Sequence, residues 1–380
     1  MIKQVSNLIY SSTFLFHRIP KRPPPPPPLY QQFKRTMTSI SNNNNNNIYP
    51  VTLKDVETAH ERVKPYVHET PILTSQALNK MANKNNNIND SNISLFFKCE
   101  NFQKTGSFKI RGATNAVFSL TDEEASNGIC THSSGNHAQA VAQAALWRDI
   151  DATIVMPDNA PPVKKTAVIG YKANVVTCKQ SERATRCDEI SKAENKYFIH
   201  PSNNPLVIAG QGTIALEFLN QVSELDAIIV PLGGGGLISG ISAAAKGANP
   251  NIKIFGAEPL GANDAYRSKE ANKILNHLPT VQTIADGLRT TLGSNTFPFV
   301  RDFVDEIFLV KEQDIVDAMK LVYERMKIVI EPSAGTGVAV AISNEFWKRN
   351  GIEKTNPKIG VVICGGNIDF KSFFTLSSFQ

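Results

Sequence analysis

The sequence predicts an α/β fold with largely parallel sheets, and three observations carry that reading. From Ile48 onward, short β-branched runs alternate with longer amphipathic stretches, the pattern of strands joined by crossover helices. The runs are near-continuously apolar rather than alternating, as strands covered on both faces are. Three of them end in loops rich in Gly, Ser and Asn, and parallel sheets bind their ligands outside the carboxyl ends of the strands.

In chain order, the apolar runs place strands at 94–99 (SLFFKC), 128–133 (GICTHS), 152–157 (ATIVMP), 174–178 (NVVTC), 227–232 (AIIVPL), 252–258 (IKIFGAE) and 359–366 (IGVVICGG). Amphipathic spacing places helices between them, at 136–149 (NHAQAVAQAALWRD), 210–222 (GQGTIALEFLNQV) and 312–327 (EQDIVDAMKLVYERMK). The loops SSGNH after 132, GGGG after 232 and CGGN after 363 can then converge on one crevice.

Composition narrows the class. With 380 residues, 41% hydrophobic and 19% charged, the chain has apolar material for one large domain or two lobes. The net charge of +6 is uneven, because no Asp or Glu precedes Asp55, and the body is close to neutral. Nucleic acid is therefore not an expected partner, since that needs basic residues clustered on a folded face. Five scattered cysteines form no CxxC pair, so neither a disulfide framework nor a zinc site is expected. No run approaches the roughly 18 apolar residues of a membrane-spanning helix, so no membrane partner is expected.

Residues 1–47 differ from the rest. Lys3, Arg18, Lys21, Arg22, Lys34 and Arg35 stand with Ser11, Ser12 and apolar residues and without an acid, which is the composition of a mitochondrial transit peptide. Pro23 to Pro28 and Asn42 to Asn47 read equally as a low-complexity tail, and a start at Met37 would leave a cytosolic product. An intact N-terminus on protein found in the cytosol would exclude import. A proline run can also dock SH3 or WW-type modules, which makes a non-catalytic scaffold the reading from a different class.

Chemistry concentrates in the stretch VPLGGGGLISGISAAAKG. A strand running into Gly233, Gly234, Gly235 and Gly236 and then a helix can cradle a phosphate on free backbone N–H groups, although glycine can also serve only to relieve a tight turn. A dinucleotide site fails in detail, because GxGxxG needs glycine where Ile238 or Ser239 stands. The segment KTGSFKIR adds Lys104, Lys109 and Arg111 within eight positions. After another strand, Glu258 and Asp264 lie six residues apart, and with the Ala262 carbonyl they could bind a hard cation or simply be solvated acids.

KTGSFKIRGA, SSGNHAQA, AGQGT, PLGGGG, TIADG and ERMK..IEPSAG, in this order and spacing from about Val51 to Phe370, resemble the serine racemase and serine/threonine dehydratase family. These are fold-type II enzymes that use pyridoxal 5′-phosphate. The resemblance implies two α/β lobes with the cofactor in the cleft between them. It divides the body into a large domain (48–127 and 204–380) and a small one (128–203), after the tail 1–47. It makes Lys109 the covalent cofactor lysine and proton-abstracting base, a role that needs a neutral amine.

By the same resemblance, Gly233 to Gly236 hold the cofactor phosphate, Asn136 its hydroxyl, and Phe108 packs on its ring, while Cys364 faces the ring nitrogen. Ser133, Ser134, Asn136 and His137 line the substrate carboxylate. Ser134 is the second acid/base that racemisation requires on the opposite face. Glu258, Ala262 and Asp264 match a Mg²⁺ or Ca²⁺ site of the racemase branch. Lys104 and Arg111 carry no chemistry and are expected to be structural or solvated. A homodimer and ATP as an activator are also implied.

The expected activity is racemisation of serine together with deamination of serine and threonine. The alternative is a threonine, serine or threo-3-hydroxyaspartate dehydratase with little racemisation. SSGNH and the Glu258/Asp264 pair favour the racemase branch, whereas Cys364 is familiar from serine dehydratases.

Overall fold

The computed structural model describes residues 49–85, 92–160, 162–277 and 280–369. The segment 1–47, with its expected transit peptide and low-complexity tail, lies outside the described residues. Among those residues the strands are β1 (Ile72–Leu73), β2 (Ser94–Cys99), β3 (Ile129–His132), β4 (Ala152–Pro157), β5 (Asn174–Cys178), β6 (Tyr197–Phe198), β7 (Ala227–Pro231), β8 (Lys253–Pro259), β9 (Glu306–Val310) and β10 (Lys358–Ile363). They form a six-stranded sheet in the order β1-β2-β10-β7-β8-β9 and a four-stranded sheet in the order β5-β4-β3-β6.

Every pairing is parallel except the short antiparallel pair of β1 with β2. The apolar runs explain this: β4 and β7 are buried along their whole length, as strands with helices on both faces must be. The fold is the expected α/β one. Each predicted strand is present within a residue or two, except that β10 stops at Ile363. Cys364 to Gly366 turn away instead, and Gly365 pairs with Ser107 of the lysine segment.

The helix predicted from residue 210 begins at Pro205. Asn204 Oδ1 caps it by accepting the N–H groups of Leu206 (2.8 Å) and Val207 (3.3 Å), and proline at the first position needs no donor. The larger apolar core lies around the six-stranded sheet and includes Phe97, Phe218, Phe255, Phe299 and Phe346. The smaller core lies around the four-stranded sheet and takes Ile110, Ala113 and Val117 from the helix Lys109–Ser119. That helix therefore packs on the smaller core although its sequence precedes it.

Its other tether is ionic. Arg111 is fully buried, and its guanidinium donates to Glu100 (Nε–Oε2 2.8 Å, Nη2–Oε1 2.8 Å) and to Glu217 (Nη1–Oε1 2.6 Å, Nη2–Oε2 2.8 Å). Lys98 Nζ joins the cluster at 2.7 Å from Glu217 Oε2 and also donates to Gln221 and to the Thr70 carbonyl. Burial alone would lower the Arg111 pKa, but the two carboxylates outweigh it and raise it, so the cation persists. Arg111 is structural, as expected, and it holds the helix that begins with Lys109 at the seam between the sheets.

The five cysteines are free, and no helix among the described residues is long and apolar enough to cross a membrane.

Candidate active site

The lysine segment is built as a rigid turn. Thr105 (φ 60°) and Gly106 (φ 73°) are both left-handed, a conformation that costs a β-branched residue strain. Position 106 must be glycine, because a Cβ there would lie 2.3 Å from Asn367 Oδ1. The Phe108 N–H donates to the Cys364 carbonyl (3.0 Å) and the Gly366 N–H to the Gly106 carbonyl (2.9 Å), which lays the turn against the end of β10. Lys109 then emerges at the start of its helix, and its Nζ donates to the Pro201 carbonyl at 2.8 Å, 5.1 Å from the centre of the Phe108 ring. The residue keeps some surface open to the cleft, but its amine lies deep. Burial pulls the amine down to about 8, so about a tenth of it is uncharged at pH 7, far more than for an ordinary lysine.

The glycine turn faces the same segment. Gly235 has φ 83°, and the helix Gly236–Ala248 follows, so the first-turn N–H groups have no intrahelical partner. A Cβ on Gly234 would lie 2.6 Å from Ser202 Oγ, and one on Gly236 would lie 2.8 Å from the Ser202 carbonyl. Ser202 Oγ is itself buried with no hydrogen-bond partner. An orphaned hydroxyl against free N–H groups fits a phosphate. Pro201 takes the lysine and Ser202 lines the glycine turn, so adjacent residues join the amine-reactive and anion-binding ends of the site.

Between them lies a polar hub. Asn136 Nδ2 is 2.9 Å from both Glu331 carboxylate oxygens, and Asn136 Oδ1 accepts from Asn367 Nδ2 at 2.9 Å. Asn367 Nδ2 also donates to the Thr105 carbonyl at 2.7 Å. Cys364 Sγ stands 3.9 Å from Glu331 Oε1. Burial drives the Glu331 carboxyl up to about 7, even though the Asn136 amide favours its charged form. Burial likewise keeps Cys364 a neutral thiol by raising its pKa well above the ordinary value.

Ser133 and Ser134 lie half-buried between β3 and the helix Asn136–Arg148, and Ser133 Oγ accepts the Gly135 N–H at 3.2 Å. His137 turns inward: its Nε2 is 3.2 Å from the Ile199 carbonyl, so that nitrogen carries the proton and Nδ1 is left without a partner. Burial keeps the ring neutral. What His137 offers the front of the loop is its backbone N–H in the first turn of the helix.

Glu258 and Asp264 lie apart from this hub. Glu258 is fully buried, and its oxygens accept the N–H groups of Ala265 (2.8 Å) and Tyr266 (2.9 Å). Asp264 Oδ2 accepts the Leu292 N–H (3.2 Å), and its Oδ1 is 3.0 Å from His277 Nδ1. Burial raises both carboxyls, and the Asp264 charge raises Glu258 further. Ala262 closes the turn Leu260–Ala262 between them. Among the described residues no three His, Cys, Asp or Glu side chains form a metal cluster, so a cation here would rest on two carboxylates and a carbonyl. Leu292 connects this pair to the glycine turn, since a Cβ on Gly235 would meet Leu292 Cδ2 at 2.8 Å.

Sequence reasoning missed Glu331, Pro201 and Ser202. Glu331 stands in the quoted stretch IEPSAG, where an acid directly before a proline-started helix was the available signal. Ser202 sits in a polar loop after a two-residue strand and had none.

The family model for "Pyridoxal-phosphate dependent enzyme" matches residues 63–365. The serine racemase of Dictyostelium discoideum is 50% identical over 325 residues, which is 85% of this chain and 96% of that protein. The structure is similar to that of maize serine racemase, with a TM-score of 0.80 and 45% identity, covering 86% of this chain and 97% of that one. It is also similar to the processed form of threonine deaminase isoform 2 from Solanum lycopersicum, with a TM-score of 0.77 and 33% identity, covering 86% of each chain.

Proposed function

The chain belongs to the pyridoxal-phosphate dependent enzymes, and on that premise we propose that it interconverts the enantiomers of serine and deaminates serine and threonine to 2-oxo acids and ammonia. The observation that carries the reading is the convergence of the depressed Lys109 amine and the Gly233–Gly236 turn on Pro201 and Ser202. The likeness to serine racemases and a threonine deaminase supports the substrate class.

Pyridoxal 5′-phosphate, when bound, supplies an electron sink for the pair left at the substrate Cα. Ser202 and the glycine turn would hold its phosphate, Lys109 its aldehyde carbon, Asn136 its ring hydroxyl and Cys364 its ring nitrogen. Lys109 moves the Cα proton, because an amine near 8 is both available as a base and strong enough to act as one. Ser134 returns a proton on the opposite face, and the first-turn N–H groups behind Ser133 and Asn136 orient the carboxylate. Where the β-hydroxyl leaves before Ser134 acts, deamination results.

Ser134→Ala is therefore expected to lower formation of D-serine from L-serine by about 10²-fold or more while pyruvate formation persists. Racemisation that survives unchanged in a chiral assay would exclude Ser134 as the second acid/base. The second reading, a dehydratase with little racemisation, is favoured by Cys364, and it predicts pyruvate without D-serine from the wild type.

The proposal extends to Mg²⁺ or Ca²⁺ at Glu258, Ala262 and Asp264. Two buried carboxyls support it, both raised by burial and Glu258 further by the Asp264 charge, because a dication removes that cost. Chelation should cut turnover, with recovery on adding Mg²⁺, whereas full activity after exhaustive chelation would count against the site. A homodimer, stimulation by ATP and mitochondrial import complete the proposal. They are checked by sedimentation, by turnover against ATP concentration, and by the N-terminus of protein recovered from mitochondria.

A further inference from the structure

The anion site has two halves from different sheets. The Gly233–Gly236 turn follows β7 of the six-stranded sheet, whereas Pro201 to Asn203 follow β6 of the four-stranded sheet. Asn203, the residue after Ser202, is held by a reciprocal amide contact. Its Oδ1 accepts the Asn295 N–H (2.8 Å), and Asn295 Nδ2 donates back to the Asn203 carbonyl (2.7 Å). Asn203 Nδ2 reaches Ser294 Oγ at 3.3 Å, which fixes the orientation of its amide. A Cβ on Gly293 would lie 2.2 Å from Asn203 Oδ1, so the two segments meet as closely as glycine permits. The partner segment is tied in turn to the glycine turn: Thr296 Oγ1 donates to the Gly234 carbonyl (3.0 Å) and accepts the Gly293 N–H (2.9 Å). A Cβ on Gly235 would meet Thr296 Cβ at 2.7 Å. On the other side, His200 Nδ1 accepts the N–H groups of Ser202 (3.1 Å) and Asn203 (2.9 Å), and burial draws that ring down to about 4, so it remains a neutral acceptor.

We infer that Asn295, acting through Asn203, is a positioning residue for the cofactor phosphate, on the premise of the phosphate site proposed above. Ser202 Oγ and the first-turn N–H groups can share one anion only while the loop and the turn keep their spacing. Gly293 to Thr296 set that spacing, because they bond to Asn203 at one end and to Gly234 at the other. With the amide pair broken, Ser202 can draw back from Gly234, and the phosphate then keeps its backbone donors but loses the hydroxyl. The aldehyde end is held separately, by Lys109, so the loss falls on the phosphate.

The test uses full-length enzyme, wild type, Asn295→Ala and Asn203→Ala, stripped of cofactor and titrated back with pyridoxal 5′-phosphate or with pyridoxal, which lacks the phosphate. Binding of each is read from the visible absorbance of the lysine-bound form. Wild type is expected to bind the phosphate form the more tightly. Asn295→Ala removes the bond to the Asn203 carbonyl and Asn203→Ala the acceptor of the Asn295 N–H. Each should weaken pyridoxal 5′-phosphate at least about fivefold and pyridoxal by less than about twofold. A role confined to folding or to the lysine would weaken both forms alike, and that result overturns the inference. So does binding of the phosphate form within about twofold of wild type in both variants. If one variant does not fold, the other decides by the same two ratios. A wild type that binds pyridoxal as tightly as its phosphate contradicts the phosphate site and the inference with it, whereas a wild-type preference that neither variant moves contradicts the inference alone.

Discussion

Lys109→Ala is expected to purify without the visible absorbance of lysine-bound cofactor and to lose at least about a thousandfold in turnover of L-serine. The expectation comes from position rather than residue type. Lys104 and Arg111 flank the same turn, yet Arg111 is locked between two carboxylates and Lys104 lies beside the Trp147 ring. Lys109 alone of the three donates to Pro201, and its buried amine is drawn down to about 8. Alanine removes both the covalent attachment and the base that moves the Cα proton, so no single kinetic step should escape. The side chain takes no part in the ionic cluster, so circular dichroism and the melting temperature should stay near those of wild type stripped of cofactor. A variant that keeps the visible band would show that another amine holds the cofactor.

Arg111→Met is expected to cost about 3–5 kcal/mol of stability, because Glu100 and Glu217 would remain buried with only Lys98 to balance them. A denaturant melt checks it, and a loss below about 1 kcal/mol would show that the cluster is far better hydrated than its burial implies. The pH dependence follows from Glu217. Burial pushes its carboxyl up, but Arg111 and Lys98 outweigh that and hold its pKa below the ordinary value. A depressed folded pKa contributes stability above the unfolded value of about 4.5, and that contribution is lost as the pH falls through the lower folded value. Wild type should therefore lose stability in acid more steeply than Arg111→Met, in which much of the contribution is already absent. The same substitution loosens the helix that begins at Lys109, so turnover should fall even under conditions where the variant stays folded.

Much of this was legible in the sequence where the signal is local. The apolar runs give β4, β7 and β8 because a buried parallel strand needs an unbroken run, and KTGSFK and GGGG mark turns that need glycine. Contacts made across the chain were not legible. Asn136 and Glu331 are 195 residues apart, and neither position betrays the other. Arg111 reads as one more basic residue until Glu217, 106 residues on, is brought against it. The strand β9 follows a charged stretch, and β1 and β6 have two residues each, too few to show a period. Ser202 became a site residue only when its hydroxyl was found buried, without a partner, against Gly234.

In the proposed reaction Lys109 moves a proton at the substrate Cα, and a proton is exchanged on the opposite face. Incubating the wild-type holoenzyme with L-serine in deuterated water tests it most directly, with the remaining serine separated by chirality and the pyruvate measured in the same sample. D-serine carrying deuterium at Cα, accompanied by pyruvate, is the expected result. Cofactor-loaded enzyme that leaves L-serine undeuterated and forms neither product would contradict it.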